Sequence, residues 1–359
     1  MKLVTDQQAN FVQPLWKSKM AILHTHRQTM TYIERARVFV DGDRVVYSIA
    51  ESSVTKSWNV PSANMAFLLL GNGCSITTAA ARVLADDGVS VGHCGGGGMP
   101  LFMAPMSDYR PTEIFQRWIQ FWPDVNARLT VAKFLAAQRC EAIERAAETG
   151  PSSHVFADAM LSRPLQTFRK KLIGAADVAT LMGYEGAFTK EMYAVISQVT
   201  GANWTVRDNT QKRQGKDVAN KFLDDGNYVA YGIASVALWC LGLTPQLPVT
   251  HGQHRAGGLV FDIADVIKDA YVLPCAFEAA AAGVRPGAAF RQTLVRWFDD
   301  AKVLDHLLDV IRQAADVGFE TIRRPSSDLP PNSALPRSPL VSVTPESAAP
   351  IVGLTAGSF

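Results

Sequence analysis

The chain has 359 residues, 48% of them hydrophobic and 19% charged, with a formal net charge of +2. That is globular composition at a length sufficient for two domains with separate cores, and near-neutrality alone does not announce a nucleic-acid partner. No apolar run approaches the roughly 18–20 residues of a membrane span, and the N-terminus lacks a signal-peptide core, so a soluble cytoplasmic protein is expected.

The first stretch reads as β-rich. Arg37-Val38-Phe39-Val40 and Arg44-Val45-Val46-Tyr47 are alternating runs separated by Asp41-Gly42-Asp43, a hairpin signal. Further strands are predicted at Ser57–Val60, Met65–Leu70 and Val89–Gly92, with one short helix over Ser75–Asp86. From Pro111 the periodicity turns helical, starting with Ile114, Phe115, Trp118 and Phe121 and continuing over 128–147, 155–182, 185–199, 217–241, 259–281 and 298–318. Strands followed by helices, without alternation, predict an α+β chain of two domains, 1–106 and 107–324. Residues 325–359 carry seven prolines among Ser, Ala and Leu, the composition of a disordered tail. The scattered Cys74, Cys94, Cys140, Cys240 and Cys275 form no C-x-x-C pair, which favours reduced thiols over a disulfide framework or a zinc ribbon.

One motif imitates a different chemistry. Leu68-Leu69-Leu70-Gly71-Asn72-Gly73, a helix and then Val89-Ser90-Val91-Gly92 resemble a dinucleotide-binding βαβ unit. The third glycine of that pattern falls on Ile76, and the second strand ends in His93-Cys94-Gly95 where a ribose-binding acid is needed. The glycines therefore read as a structural turn. Gly95–Gly98 precedes Met99-Pro100 and no Lys-Ser/Thr, so it is not a phosphate loop.

Three features of the helical part fit together. Glu185 opens a segment in which Glu185, Thr189 and Tyr193 share a face beside the apolar stripe Phe188, Met192, Val195 and Ile196; alone, it reads as a helix first-turn carboxylate. His251-Gly252-Gln253-His254-Arg255-Ala256-Gly257-Gly258 is a glycine-rich loop. It leads into a helix with Asp262 and Asp265 on one face, a repelling pair that needs a cation, or Lys268 and the helix N-terminus, to offset it. Carboxylates plus an imidazole are hard oxygen ligands with one nitrogen, a set suited to Mn²⁺ or Mg²⁺ at a phosphodiester. His251 with His254 has no third ligand at short spacing to make a zinc site. Between Arg163 and Lys221 ten Lys/Arg face five Asp/Glu, a locally basic stretch that also fits an ordinary solvated face.

The succession Glu185-Gly-x-x-x-Lys190-x-x-Tyr193, Asp217-x-x-Asn220-x-x-Leu223…Asn227-Tyr228-x-x-Tyr231 and His251-Gly…Gly257-Gly258-Leu259-x-Phe261-Asp262-x-x-Asp265 resembles the motifs of the Cas-one integrases of CRISPR adaptation. Trp58-Asn59-Val60-Pro61-x-Ala63-Asn64, the Leu68–Thr77 segment and Tyr109-Arg110-Pro111-Thr112-Glu113 resemble the subtype I-F branch. The resemblance spans about residues 20–320, leaves out the proline-rich tail and gives His254 no role. It implies an N-terminal β-sandwich that forms a homodimer and a helical catalytic domain. Glu185, His251 and Asp265 would bind Mn²⁺ or Mg²⁺, with Asp262 beside them. The implied reaction is transesterification, a spacer 3′-hydroxyl attacking the leader–repeat junction. Its partners would be double-stranded and branched DNA and a Cas-two protein fused to the Cas-three helicase-nuclease, with no membrane. Arg207, Lys212, Arg213, Lys216 and Lys221 form a candidate DNA-contacting strip that should bind phosphate without sequence preference.

The alternatives are a DNA-end-binding scaffold with a vestigial site, which would need none of Glu185, His251 and Asp265, and a general branched-DNA nuclease using the same site. Removal of residues 326–359 is expected to leave the melting temperature and catalysis near wild type, and a large drop in Tm on truncation would refute the reading of that tail.

Overall fold

The structure, a computed structural model, describes residues 28–51, 54–95, 98–103, 112–156, 162–208, 217–252 and 256–323. The expected domain boundary at Pro105–Tyr109, His254, and the tail lie outside them. The fold is α+β, with two N-terminal sheets followed by helices. The first sheet is four-stranded, in the order β1 (Gln28–Ile33), β5 (Met65–Leu70), β7 (Ser90–Gly95), β8 (Gly98–Met103). Its β1–β5 and β5–β7 pairs are parallel and β7–β8 is antiparallel. The second has the order β4 (Val54–Asn59), β3 (Arg44–Glu51), β2 (Arg37–Asp41), β6 (Ser75–Ile76).

The predicted hairpin is present. Asp41 pairs with Arg44, and Gly42 in the two-residue loop takes φ +58°, which glycine adopts without a Cβ clash. Strands β1 and β8 were not expected. No glycine or proline marks the end of β1; Arg35 turns the chain with φ +51°, a conformation that normally advertises itself as glycine. Strand β8 begins in a glycine-rich stretch that hides its pattern.

All six residues of β5 are buried. Leu68 and Leu70 face a cluster with Val38, Val45, Ala80 and Leu84 between the sheets and α1 (Thr78–Asp86), while Phe67 and Leu69 join the helical core. Burial on both faces explains an unbroken apolar run in place of alternation. The β5–α1–β7 unit does have parallel βαβ geometry, but Gly71 and Gly73 serve the turn. A Cβ on Gly71 would fall 2.3 Å from the Tyr32 hydroxyl, and Gly73 has φ +72°. Strand β6 follows them, and α1 starts only at its Thr77 cap, whose hydroxyl accepts from Ala80 N–H at 3.2 Å.

The helices are α2 (Glu113–Phe121), α3 (Val125–Thr149), α4 (Ser153–Phe156), α5 (Ser162–Gly174), α6 (Val178–Thr200), α7 (Val218–Cys240), α8 (Gly258–Ile267), α9 (Leu273–Ala281), α10 (Ala288–Asp300) and α11 (Val303–Arg323). Three boundaries differ from the expected ones. The break predicted before Glu185 falls instead at Ala175–Asp177, where the Asp177 carboxylate caps α6 by accepting from Thr180 N–H at 2.7 Å. The single helix expected over 259–281 is interrupted by a π-helical turn, Lys268–Val272. Pro274, just beyond, cannot donate to the carbonyl four residues back and crowds it, so the α ladder cannot run through. Helix α10 was missed, and Lys302, with φ +50°, separates it from α11. Among the described residues no helix is long and apolar enough to cross a membrane.

Sheet and helices share one core. Phe67 packs onto α7 at Gly232, where an added Cβ would sit 3.0 Å from the ring. A buried polar cluster joins the same layers: Arg291 on α10 donates to the Tyr32 hydroxyl of β1 at 2.8 Å and to Asp225 of α7 at 3.2 Å, while Tyr32 donates to Glu34 at 3.0 Å. Elsewhere α11 crosses α2 so closely that a Cβ on Gly318 would meet the fully buried Phe121 ring at 2.4 Å. Gly318→Val is therefore expected to destabilise the fold by about 1–3 kcal/mol through overpacking. Thermal denaturation checks this, and an unchanged Tm would mean that the Phe121 ring can move aside.

Candidate active site

Four helices and one loop build the site. The Asp177 cap starts α6 early, so Glu185 is the eighth residue of that helix and not part of its first turn. The helix dipole cannot explain a carboxylate two turns in, and the first-turn reading is corrected accordingly. Glu185, Thr189 and Tyr193 do share a face, and all three line a cavity of about 160 Å³ with Arg139 of α3, Asn227 of α7, and Asp265, Lys268 and Asp269. Helix α8 is set against the preceding loop at Gly258, where a Cβ would fall 2.8 Å from the Pro248 side chain. This close approach lays Val249–His251 over the side chain of Asp262.

Asp262, three residues from Asp265, has a separate task. One of its oxygens accepts from the backbone N–H of Val249 at 2.7 Å and of Thr250 at 3.2 Å. The other accepts from His251 N–H at 2.9 Å and lies 2.7 Å from His251 Nδ1. A carboxylate can only accept, so the Nδ1 proton belongs on that nitrogen, and Nε2 is left facing Asp265, at 3.8 Å from Oδ2. The arrangement is the carboxylate–imidazole pairing that orients metal-binding histidines, with the side chain of Asp262 fully buried.

Asp265 is held by Lys268, one turn on, in a short ion pair. Burial alone would raise the Asp265 pKa, but Lys268, then Arg139 and His251, hold it below the usual carboxylate range. Lys268 also lies 5.5 Å from the Tyr231 ring. Burial pushes the Glu185 carboxyl up to about 7; Arg139 opposes the rise and the negative charge of Asp265 adds to it. Arg139 itself is buried against Asp269 and Thr189, its Nε donating to Asp269 at 2.7 Å and its Nη2 to Thr189 at 2.7 Å.

Carboxylate oxygens with one imidazole nitrogen are the donor types that Mn²⁺ or Mg²⁺ would take. The four carboxylates Glu185, Asp262, Asp265 and Asp269 outnumber the two cations Arg139 and Lys268 in this region. Asp265 Oδ1 is buried and lacks a well-directed hydrogen bond, its ion pair with Lys268 notwithstanding. Among the described residues no group of three or more His, Cys, Asp or Glu side chains stands close enough together to hold a metal ion as the side chains are placed.

The sequence missed Arg139 and Asp269. Arg139 follows Ala132, Leu135 and Ala136 on the buried stripe of α3, and a guanidinium there demands a buried counter-charge, the one signal that pointed to it. Of the proposed DNA strip, Lys212, Arg213 and Lys216 lie outside the described residues, and Lys221 is partly buried at the start of α7. The Arg207 guanidinium is engaged by Asp224 at 2.7 Å and Asn220 at 2.9 Å, which anchors its own segment to α7.

Because Asp262 satisfies three backbone donors and one imidazole, Asp262→Ala is expected to cost on the order of 3 kcal/mol, with a smaller loss for Asp262→Asn, which retains one acceptor. Urea denaturation of both variants measures it; an Asp262→Ala protein as stable as wild type would show that the loop finds other acceptors.

Residues 32–298 match the family model described as CRISPR associated protein Cas1. The chain is 40% identical over 312 residues to the CRISPR-associated endonuclease Cas1 of Pseudomonas aeruginosa, covering 82% of this chain and 94% of that one. The corresponding protein of Pectobacterium atrosepticum is 37% identical over 317 residues, with 84% and 96% covered. Among solved structures, TtCas1 in complex with DNA superposes with a TM-score of 0.61 at 24% identity, over 87% of this chain and 94% of that one. A Cas1 protein from Thermotoga maritima superposes with a TM-score of 0.63 at 15% identity, over 81% and 97%. These two likenesses support the fold, and the family match with its relatives establishes the lineage: the chain belongs to the CRISPR-associated Cas1 family.

Proposed function

We propose that this chain is a divalent-metal-dependent DNA endonuclease and integrase of CRISPR adaptation, of subtype I-F, acting in the cytoplasm. The observation that carries the reading is the His251–Asp262 pair aimed at Asp265 beside a cavity that Glu185 also lines. Glu185, His251 and Asp265 would hold Mn²⁺ or Mg²⁺. When bound, the ion would polarise a phosphodiester and offset the charge that develops on it.

The chain's own residues do the rest. Asp262 keeps the proton on His251 Nδ1 and the imidazole in one orientation, so Nε2 needs no rearrangement to act as a ligand. Lys268 neutralises Asp265 while no metal competes for it, which keeps a buried carboxylate pair tolerable. The raised pKa of Glu185 marks the carboxyl whose negative charge is least matched, and that charge is the one a cation would restore. In the integration reaction a new bond forms from the spacer 3′-oxygen to the leader–repeat phosphorus, and the bond to the displaced 3′-oxygen breaks. The cavity walls, with Tyr193 and Asn227, would exclude bulk water from that exchange.

DNA as substrate accords with the names of the P. aeruginosa and P. atrosepticum relatives, both endonucleases, and with TtCas1 having been solved with DNA. A Cas2 partner accords with a structural neighbour solved in a Cas6-RT-Cas1–Cas2 complex. In this reading the chain works as a homodimer with a Cas2 partner fused to Cas3, and Lys212, Arg213, Lys216 and Lys221 track DNA phosphates. A branched-DNA nuclease is the second reading, since the same site running in reverse on a half-integrated substrate cleaves it.

The test is strand transfer on branched DNA with Mn²⁺, Mg²⁺ or EDTA. Glu185→Ala, His251→Ala and Asp265→Ala should each reduce metal-dependent rejoining by more than about 100-fold, beyond the effect typical of an outer-shell partner. Cleavage without rejoining would favour the nuclease, and tight DNA binding with no reaction under any metal would favour a scaffold.

A further inference from the structure

The two ligand-bearing helices meet through one side chain from a third. Thr189 lies four residues beyond Glu185 on α6, one turn along the same face, and Asp269 lies four beyond Asp265 in the π-helical turn that continues α8; all four line the same cavity. Arg139, only 4% exposed, contacts both at once: Nη2 donates to Thr189 Oγ1 at 2.7 Å and Nε to Asp269 Oδ2 at 2.7 Å. Its guanidinium carbon lies 5.3 Å from the centroid of the Phe188 ring, which gives the plane a fixed support. A guanidinium is rigid and planar and its donors point in set directions, so two acceptors bound to one such group are held at a set separation.

We propose that Arg139 is a positioning residue that sets the distance between Glu185 and Asp265 by clamping their helices one turn further along. The proposal rests on the metal-site reading above. Arg139 touches neither ligand through a hydrogen bond described here. Its influence on them is through helix spacing and through the field of a buried positive charge. The two contributions separate chemically. A lysine at this position keeps the charge but presents a single ammonium on a flexible stem, which cannot fix both acceptors in one plane. A valine in place of Thr189 keeps shape and charge and removes only the α6 half of the clamp.

The test is Mn²⁺ titration of the full-length protein without DNA, followed by the electron paramagnetic resonance signal of the free ion, beside thermal denaturation in EDTA. Arg139→Lys should weaken Mn²⁺ binding by about 10–100-fold, the range for outer partners of a metal site. Thr189→Val should weaken it several-fold while melting within a degree or two of wild type. Equal Mn²⁺ affinity in wild type and Thr189→Val would overturn the clamp, even if Arg139→Lys binds poorly through partial unfolding. Failure of the wild-type chain to bind Mn²⁺ would instead remove the metal-site reading on which the clamp rests, a result distinguishable from the first because no variant is needed to see it.

Discussion

The helical half of this protein is organised around a balance of buried charge. Glu185, Asp262, Asp265 and Asp269 converge on one region of the bundle, and isolated carboxylates in that setting would shed their charge by binding protons. Each is answered differently. Asp262 is satisfied by backbone N–H groups, Asp269 by the guanidinium of Arg139, and Asp265 by the ammonium of Lys268. Among the described residues only the more distant Arg139 and His251 oppose the burial of Glu185, and its pKa rises to about 7. The packing of α3, α6, α8 and the π-helical turn follows from where these charges must meet, because a misplaced element would strand one of them.

How much of this was legible in the sequence depended on sequence distance. Asp262 and His251 are eleven residues apart in one motif, and Asp265 follows on the same helix, so pattern and spacing exposed them together. Arg139 and Asp269 are 130 residues apart, and spacing cannot reveal a pair of that kind. What could be read was the anomaly of an arginine on an apolar stripe. Glu185 was singled out but placed wrongly within its helix, because Gly183 looks like a boundary. In the structure an added Cβ at Gly183 would meet nothing within 4 Å, so that glycine only weakens α6 and does not end it. The true start was written in Asp177-x-x-Thr180, a cap signal overshadowed by the glycine.

The β-rich part shows the same division. The β2–β3 hairpin and β5 declared themselves through turn chemistry and apolar content. Strand β1 escaped because its exit uses Arg35 in a glycine-like conformation. Yet β1 carries Tyr32, which meets Arg291 from a helix more than 250 residues later. Expecting two separate cores also missed that β5 has one face in each cluster. Phe67 and Leu69 belong to the helical core as fully as any residue of α7, so distortion of the central strand would be felt on both sides.

The π-helical turn at Lys268–Val272 has a further consequence for phase. An α-helix advances about 100° per residue, so one residue accommodated in a wider turn rotates everything after it by about that angle relative to an uninterrupted helix. Helix α8 must aim Asp265 at the cavity, while Leu273, Cys275 and Phe277 must aim into a core contributed by other helices. A uniform helix serves both demands only if they happen to fall in register. The wide turn releases that constraint: the cavity end and the packing end of one continuous segment can be oriented independently, and a single-residue deletion within it would redirect one of them wholesale while leaving the composition of the segment almost unaltered.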